Sequence, residues 1–117
     1  LVDSIGKKII VVKSIADALS LKNVQAEQKR AEEIKSRKYD FVVSRAVSKL
    51  STFYSWIHNK FKSESQHKIP NGLLYLKGGD LKKEIKESKL KKVREYPLPK
   101  YFTEGFFETK KVVYVPA

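Results

Sequence analysis

The sequence predicts an α/β domain in which strands alternate with helices and the last strands pair antiparallel. Two short apolar runs, Phe41-Val42-Val43 and Leu73-Leu74-Tyr75-Leu76, have the composition of interior strands. A helical spacing of apolar residues follows the first run at Leu50–Phe61. Two further strand-like runs, Leu90–Tyr96 and Lys110–Val115, lie close together near the end of the chain, which favours an antiparallel C-terminal pair.

The N-terminal residues predict a strand followed by a helix. Leu1-Val2 is expected to end a buried strand. Asp3 or Ser4 is expected to cap the helix, because their side-chain oxygens accept hydrogen bonds from free helix N–H groups. Apolar residues then recur at helical spacing from Ile5 to Leu19, so we expect this face in the core and the helix to end near Leu21–Asn23.

The middle of the chain predicts two strands and a helix. Val24–Lys29 is a weakly apolar strand, which suits a place near the sheet edge, and Arg30–Glu33 is a loop or one helical turn. The strand at Phe41-Val42-Val43 comes next, and the helix Leu50–Phe61 follows it. Four aromatic residues are expected in the core, namely Phe53, Tyr54, Phe61 and Phe106.

Turn residues bound the strand at Leu73–Leu76. Pro70-Asn71-Gly72 predicts a turn before it, and two glycines in Lys77-Gly78-Gly79-Asp80 permit a tight turn after it. Asp80 is expected to cap a short lysine-rich helix, Leu81–Ser88. The chain of 117 residues is long enough for one domain with one core.

The charge of the chain favours a polyanionic partner. Lys and Arg number 25 against 13 Asp and Glu, a net charge of +12. Nucleic acid is the first candidate and an anionic membrane the second, whereas a lysine-rich surface that only keeps the protein in solution is the plain alternative. The run Lys82–Arg94 is either a phosphate-contacting face or a solvated helix. No apolar run approaches the ~20 residues that span a bilayer, so we expect no membrane partner.

Motifs for metal, nucleophilic or phosphate chemistry are missing from the sequence. His58 and His67 have no partner at ligand spacing and the chain has no Cys, so no metal site is expected. The lack of Cys is compatible with a reducing compartment. No G-x-S-x-G, G-x-G-x-x-G or Walker-type loop occurs.

Polar residues follow each of four predicted strands. These residues are Asp3, Ala31-Glu32, Ser44-Arg45 and Lys77-Gly78. In a parallel sheet such ends line one rim, where ligands bind. An acidic residue there can accept hydrogen bonds from both hydroxyls of a ribose, and a backbone N–H beside a small residue can contact an adenine edge. Each residue alone is more often a helix cap or a solvated charge. Their recurrence at four strand ends shifts the balance towards a nucleotide site and leaves both interpretations open.

Five segments of the chain form a characteristic series. They are Leu1-Val2-Asp3-Ser4-Ile5-Gly6-Lys7-Lys8, Leu21-Lys22-Asn23-Val24, Arg30-Ala31-Glu32-Glu33, Tyr39-Asp40-Phe41-Val42-Val43-Ser44-Arg45-Ala46-Val47 and Leu76-Lys77-Gly78. Their order and separations resemble the C-terminal part of the GidB/RsmG family of bacterial 16S rRNA guanine-N7 methyltransferases. The ending Phe106–Val115 is most similar to family members from Bacteroides and its relatives.

The resemblance implies a fold, a cofactor and a partner. The fold would be the Rossmann-like fold of S-adenosyl-L-methionine-dependent methyltransferases, with a reversed last strand. Asp3 would lie near the ribose of the cofactor, Ala31 and Glu32 would contact the adenine, and Arg45 matches a further cofactor-binding position. Lys77 is a possible substrate contact, towards the rRNA phosphate or the target base, and no catalytic residue is assigned. The partner would be 16S rRNA or the assembling small subunit, in the cytoplasm.

The resemblance also implies that part of the family's site lies upstream of Leu1. The glycine-rich loop that holds the methionine end of the cofactor, and the first strand, belong to that part. Residues 1–117 would then be the C-terminal part of a single methyltransferase domain, inactive alone. Such a piece would expose a sheet edge and is expected to self-associate.

Two other functions are open at this point. A basic α/β module that binds RNA without a cofactor would have the same charge. The third possibility is another nucleotide enzyme with a Rossmann-type sheet, such as a dehydrogenase. Only the family resemblance argues against it. Stabilisation by S-adenosylhomocysteine would separate the methyltransferase from the RNA-binding module.

Overall fold

A computed structural model describes residues 1–45 and 48–117, so Ala46 and Val47 of the strand-end motif lie outside the described residues. The described residues form three α-helices and six strands, a mixed α/β architecture with parallel and antiparallel pairs, as predicted. The strands belong to two sheets, one of two strands and one of four. The chain divides into two compact units, Leu1–Arg37 and Lys38–Ala117.

The first unit pairs two short parallel strands beside one helix. Strand β1, Val2–Asp3, pairs with β2, Glu27–Gln28, so that Asp3 lies opposite Gln28. Helix α1 spans Gly6–Ala18. Its first residue has little room for a side chain, because a Cβ on Gly6 would come within 3.0 Å of the Gln28 side-chain oxygen.

Helix α1 ends at Ala18, before the predicted end at Leu21–Asn23. Ser20 has a left-handed backbone, with φ 56°, and its N–H donates to the Asp17 carbonyl at 3.0 Å. The N–H of Leu21 donates to the Ala16 carbonyl at 2.9 Å. These two bonds form a Schellman cap, which satisfies the last helix carbonyls and turns the chain away.

The predicted core face of α1 is confirmed only in part. Ile9 is buried, and Val12 and Ala16 are half-buried. Four other apolar side chains of the helix and its end are exposed, namely Ile10, Val11, Ile15 and Leu19. Periodicity indicates which residues share a face, but within this unit only two-residue strands are available to cover a 13-residue helix.

The second unit contains the four-stranded sheet, in the order β3-β4-β6-β5. Its elements are β3 Phe41–Arg45, α2 Leu50–Ile57, β4 Gly72–Gly78, α3 Lys82–Ser88, β5 Arg94–Pro97 and β6 Lys110–Pro116. Strands β3 and β4 are parallel, whereas β4 with β6 and β5 with β6 are antiparallel. The antiparallel C-terminal pair is therefore confirmed.

One face of this sheet is covered by helices. Leu73 and Tyr75 on β4 and Val113 on β6 are each at most 1% exposed, and the Tyr75 ring stacks on Phe53 of α2 at 5.4 Å between centroids. The other face is open along the edge strand β3, where Val43 is 65% exposed, whereas Leu74 and Tyr114 on the central strands are half-buried and buried. The apolar core of the unit thus lies on the α2 side of the sheet.

Of the four aromatic residues predicted in the core, three are buried or half-buried and one is exposed. Phe53 and Phe61 are buried and Tyr54 is half-buried. The prediction for Phe106 is wrong, because this side chain is 71% exposed. Phe106 lies in a 3-10 turn, Gly105–Phe107, and its ring meets the neighbouring Phe107 edge-on at 5.2 Å instead of entering the core.

Two lysines between α3 and β5 adopt left-handed backbone conformations. Lys89 at the end of α3 has φ 58°, and Lys92 has φ 61°. For a residue with a Cβ, this conformation costs roughly 1–2 kcal/mol. The turn delays the start of β5 to Arg94, later than the predicted Leu90.

Gly72 should not tolerate a side chain. A Cβ at this position would lie 2.3 Å from the Val115 carbonyl oxygen and 2.9 Å from Pro116 Cα, both backbone atoms of the paired strand. We expect Gly72→Ala to lower the free energy of unfolding by about 3 kcal/mol, the upper part of the range for overpacking, as measured by urea denaturation. Gly105→Ala is the matched control, because no atom lies within 4 Å of its Cβ position. Equal effects of the two substitutions would contradict this account.

Candidate functional site

Asp3 lies at the carboxyl end of β1, where the chain turns into α1. Its Oδ1 accepts a hydrogen bond from the Ile5 N–H at 2.8 Å, and its Oδ2 lies 3.7 Å from Lys8 Nζ. The side chain is partly exposed. A carboxylate offers about four acceptor positions, so Asp3 retains capacity for hydroxyl donors after these two contacts.

Ala31 and Glu32 begin a 3-10 turn, Ala31–Glu33, which confirms the predicted loop or single turn. The Glu33 carboxylate accepts from the Arg30 N–H at 3.2 Å and fixes the entry to the turn. The N–H groups of the first residues in such a turn have no acceptor within it. Glu32 is exposed, and its carboxylate lies 3.9 Å from the Arg30 guanidinium.

An ion pair within the first unit joins Glu27 and Arg37, which lie on either side of this turn in the sequence. Arg37 Nη1 donates to Glu27 Oε1 at 2.6 Å, and Lys29 Nζ lies 3.2 Å from Glu27 Oε2. The hydrogen bond from Arg37, followed by that from Lys29, lowers the pKa of the Glu27 carboxyl below the ordinary value of 4.5. The sequence did not single out Glu27 or Arg37, because charges ten positions apart carry no pairing pattern of their own.

Arg45 is the last residue of β3 and is exposed. It lies opposite Leu76 in the parallel ladder, on the same side of the sheet as Val43. Its guanidinium forms no ion pair with any residue in the described parts of the chain. Arg45 is therefore held by its backbone, while its charge is available to an anion.

Lys77 lies next to Leu76 but projects from the opposite, helix-covered face. Its Nζ is 2.5 Å from Glu84 Oε1 and 3.3 Å from the Ser48 carbonyl oxygen. Glu84 Oε1 also accepts from the Leu50 N–H at 2.9 Å, at the first residue of α2. Lys77 thus joins β4 to α3 directly, and Glu84 extends this link to the first residue of α2.

Tyr75 completes this polar cluster. Its hydroxyl donates to the Ser48 carbonyl and accepts from the Ser48 N–H at 3.2 Å. The role of Lys77 towards a substrate stays a prediction, and the structure gives the same side chain a structural partner. Glu84 and Tyr75 were missed by sequence reasoning. One feature of the sequence could have indicated the inward position of Glu84, because this acidic residue lies next to the apolar Ile85 in a lysine-rich helix.

The predicted site residues fall into two groups. Asp3, Ala31 and Glu32 belong to the first unit, at the carboxyl ends of its parallel strands. Arg45 and Lys77 belong to the second unit, at the carboxyl ends of β3 and β4. A single rim that contains all of them stays a prediction.

The described residues offer neither a metal site nor a helix that could cross a membrane. They contain no group of three or more His, Cys, Asp or Glu side chains that could hold a metal ion. Of the helices at 1–45 and 48–117, none combines the length and the apolar character that a membrane crossing requires.

Comparison with known proteins gives one consistent result. The sequence model of the GidB family, described as rRNA small subunit methyltransferase G, matches residues 1–106. A relative from Flavobacterium johnsoniae named ribosomal RNA small subunit methyltransferase G is 53% identical over 116 residues, 99% of this chain and 54% of that protein. The proteins of the same name from Cytophaga hutchinsonii and Bacteroides fragilis are 49% and 48% identical, over 100% and 98% of this chain and 56% and 55% of their own lengths.

The chain spans about half the length of the curated relatives it matches. The predicted resemblance to this family, and to its members from Bacteroides and related bacteria, is confirmed.

The Glu27–Arg37 pair gives a pH prediction. A carboxyl whose pKa is lowered by folding contributes stability above its unfolded pKa, and this contribution is lost as the pH falls through the lowered, folded pKa. We expect the Glu27 carboxyl to titrate below 4.5 when followed by NMR, and Arg37→Ala to raise its midpoint. Arg30→Ala, which removes the neighbouring pair with Glu32, should leave the midpoint of Glu27 unchanged.

Glu84 should stabilise the second unit far more than its neighbour on α3. Glu84→Ala leaves the partly buried Lys77 ammonium and the Leu50 N–H without their acceptor, a loss of about 2–3 kcal/mol in the free energy of unfolding. Glu87→Ala is the matched control, because Glu87 is exposed and lies 4.0 Å from Lys83. It should change stability by less than about 0.5 kcal/mol. A small effect of Glu84→Ala in thermal and urea unfolding would show that the cluster is not structural.

Proposed function

Because this chain belongs to the rRNA small subunit methyltransferase G family, we propose that it forms part of an enzyme that transfers a methyl group from S-adenosyl-L-methionine to N7 of a guanine in 16S rRNA. The observation that carries the proposal is about 50% identity over nearly the whole chain to proteins named for this activity. The mixed α/β architecture is consistent with part of a Rossmann-like methyltransferase fold.

We propose that residues 1–117 are one part of a single methyltransferase domain. The relatives are about twice as long as this chain. Apolar side chains of α1 and Val43 on the open face of the second sheet are exposed, as expected of surfaces that other parts of a domain would cover. The outer edge of β3 pairs with no strand among the described residues. These surfaces also support the proposed self-association of the isolated chain.

The chemistry of the first unit fits the nucleoside part of the cofactor. Asp3 has free acceptor positions for ribose hydroxyls, and the backbone N–H groups at Ala31 and Glu32 have no acceptor within their turn. The Ala31 side chain is a half-buried methyl group, which is small and apolar. We therefore assign Asp3 to the ribose and Ala31 and Glu32 to the adenine.

Arg45 is the fourth proposed cofactor residue. It is exposed at a strand end, and no described acidic residue neutralises it. A guanidinium with five donors can hold a carboxylate or another acceptor of the cofactor. Lys77 is proposed as a substrate contact only in second place, because Glu84 already holds its ammonium group.

The proposed reaction needs positioning more than acid–base chemistry. S-Adenosyl-L-methionine supplies a sulfonium-bound methyl group, which is electrophilic. Guanine N7 has an available lone pair and no proton to remove, so no general base is required of the protein. Its residues need to hold the two reactants in line, and such positioning can supply much of the rate. The net charge of +12 favours a polyanionic substrate such as rRNA, on the assembling small subunit in the cytoplasm.

Cofactor binding tests the proposal. We would titrate S-adenosylhomocysteine calorimetrically into this chain and into a hybrid in which these 117 residues replace the matching residues of the Flavobacterium johnsoniae relative. Binding to the hybrid and methylation of 16S rRNA by it are expected. If the hybrid binds RNA but not S-adenosylhomocysteine, a non-catalytic RNA-binding module is the better description, and the proposed function is wrong.

Asp3→Asn in the hybrid should weaken S-adenosylhomocysteine binding by about 10-fold or more. The amide keeps one acceptor oxygen for the Ile5 N–H but removes the charge that strengthens hydrogen bonds from ribose hydroxyls, a loss of about 1.5–3 kcal/mol. Asp17→Asn on the exposed side of α1 is the matched control and should have no effect. Unchanged affinity after both Asp3→Asn and Arg45→Ala would contradict the proposed site.

A further inference from the structure

We propose that residues 82–94, which we call the cationic segment, form the surface that binds the phosphate backbone of RNA. The segment comprises α3, the turn after it and the first residue of β5. The inference rests on the proposed function, in which the substrate is rRNA, and adds the part of the molecule that holds the RNA strand.

The cationic segment is not neutralised by its own fold. It contains seven basic residues, and only one of them, Lys83, lies within ion-pair distance of an acidic side chain. The other six are exposed and have no ion-pair partner among the described residues, namely Lys82, Lys86, Lys89, Lys91, Lys92 and Arg94. The segment's own Glu84 is turned inward to Lys77 on β4. Its charge is therefore available to an external polyanion.

The fold presents these charges outward. In α3, Ile85 is half-buried and the preceding Leu81 is buried, while Lys82 and Lys86 lie one turn apart on the exposed side. Arg94 and Tyr96 project from the same side of β5, an edge strand of the sheet, onto the face that carries Tyr114, so the cations of the segment extend around this edge from α3 to the opposite face. Tyr96 is 41% exposed, and an exposed aromatic ring next to a cation is the arrangement on which single-stranded bases stack.

The turn between α3 and β5 places lysine where glycine would be unstrained. Lys89 and Lys92 both have positive φ angles, at 58° and 61°. Glycine adopts this conformation without steric cost. The charges of Lys89 and Lys92 can therefore be removed by substitution with glycine without a steric cost at this turn.

RNA fits this surface better than a lipid membrane does. Interfacial membrane helices direct an apolar face into the lipid. The apolar residues of the cationic segment are Ile85, Leu90 and Val93, and each of them is half-buried instead of exposed. A surface of separate cations without an apolar centre is suited to phosphate groups of a nucleic acid, for which binding depends on counterion release.

The test compares RNA binding by this chain and by Lys89→Gly/Lys92→Gly as a function of salt concentration. A short single-stranded RNA from 16S rRNA is the probe. Each phosphate contact contributes roughly 0.7–0.9 to the slope of log K against log salt, so we expect the slope to fall by about 1.5. The melting temperature should rise in the same variant, because glycine removes the left-handed strain.

Matched controls separate charge from backbone effects. Ser20→Gly relieves a left-handed residue, with φ 56°, without removing a cation, and should leave the slope unchanged. Lys13→Ala/Lys22→Ala removes two exposed lysines of the first unit and should also leave it unchanged. Lys82→Ala/Lys86→Ala on α3 should reproduce the lower slope without altering the turn.

Three outcomes would overturn the proposal. The first is an unchanged slope in both variants of the cationic segment. The second is an equal fall in Lys13→Ala/Lys22→Ala, which would show only a general effect of charge. The third is binding to phosphatidylserine vesicles that is tighter than to RNA and is lost in Lys89→Gly/Lys92→Gly. Failure of the hybrid to bind S-adenosylhomocysteine would refute the proposed function but not this surface.

Discussion

The second unit depends on the burial of strand β4, which is hydrogen-bonded to β3 on one edge and to β6 on the other. Leu73 and Tyr75 project from it into the covered face, so the helices α2 and α3 must lie there. Because side chains alternate between the two faces along a strand, the position of a polar residue at the strand end determines which face its side chain reaches. Lys77 reaches the covered face and requires Glu84, whereas Arg45 on β3 reaches the open face and requires no partner within the fold.

The cluster around Glu84 shows how a polar group can organise an apolar core. One carboxylate oxygen receives the Lys77 ammonium and the first N–H of α2, so it replaces a conventional helix cap. The same ammonium and the Tyr75 hydroxyl hold the Ser48 carbonyl. The chain is therefore anchored at Arg45 by the strand ladder and at Ser48 by side chains. A rigid strand end of this kind would hold the guanidinium of Arg45 in a defined position.

The sequence was sufficient to predict most helices and strands, but not which of their faces are buried. The strands at β3 and β4 were predictable because apolar, β-branched and aromatic runs have few alternatives. The prediction that Asp80 caps α3 is wrong in position, because the N-cap residue is Leu81, which has no side-chain cap; Asp80 lies one residue earlier and its Oδ1 accepts from the Lys82 N–H at 3.0 Å. The exposure of the α1 face and of Phe106 was not predictable, because periodicity does not reveal what covers a face. The proposed roles of Asp3, Ala31, Glu32 and Arg45 came from the family resemblance, and the structure adds their hydrogen bonds and exposure.

The two-residue strands of the first unit have a consequence for local stability. A ladder of this length, beside a helix with one buried apolar side chain, protects few backbone amides from solvent exchange. The long β4, paired on both edges, lies at the opposite extreme, and we expect its amides to exchange only when the sheet opens. If the first unit holds the nucleoside, the ligand binds the segment with the most conformational freedom to lose. Part of the binding free energy is then offset by the conformational entropy that the first unit loses on binding. Cofactor binding would in turn stabilise the folded state of this unit.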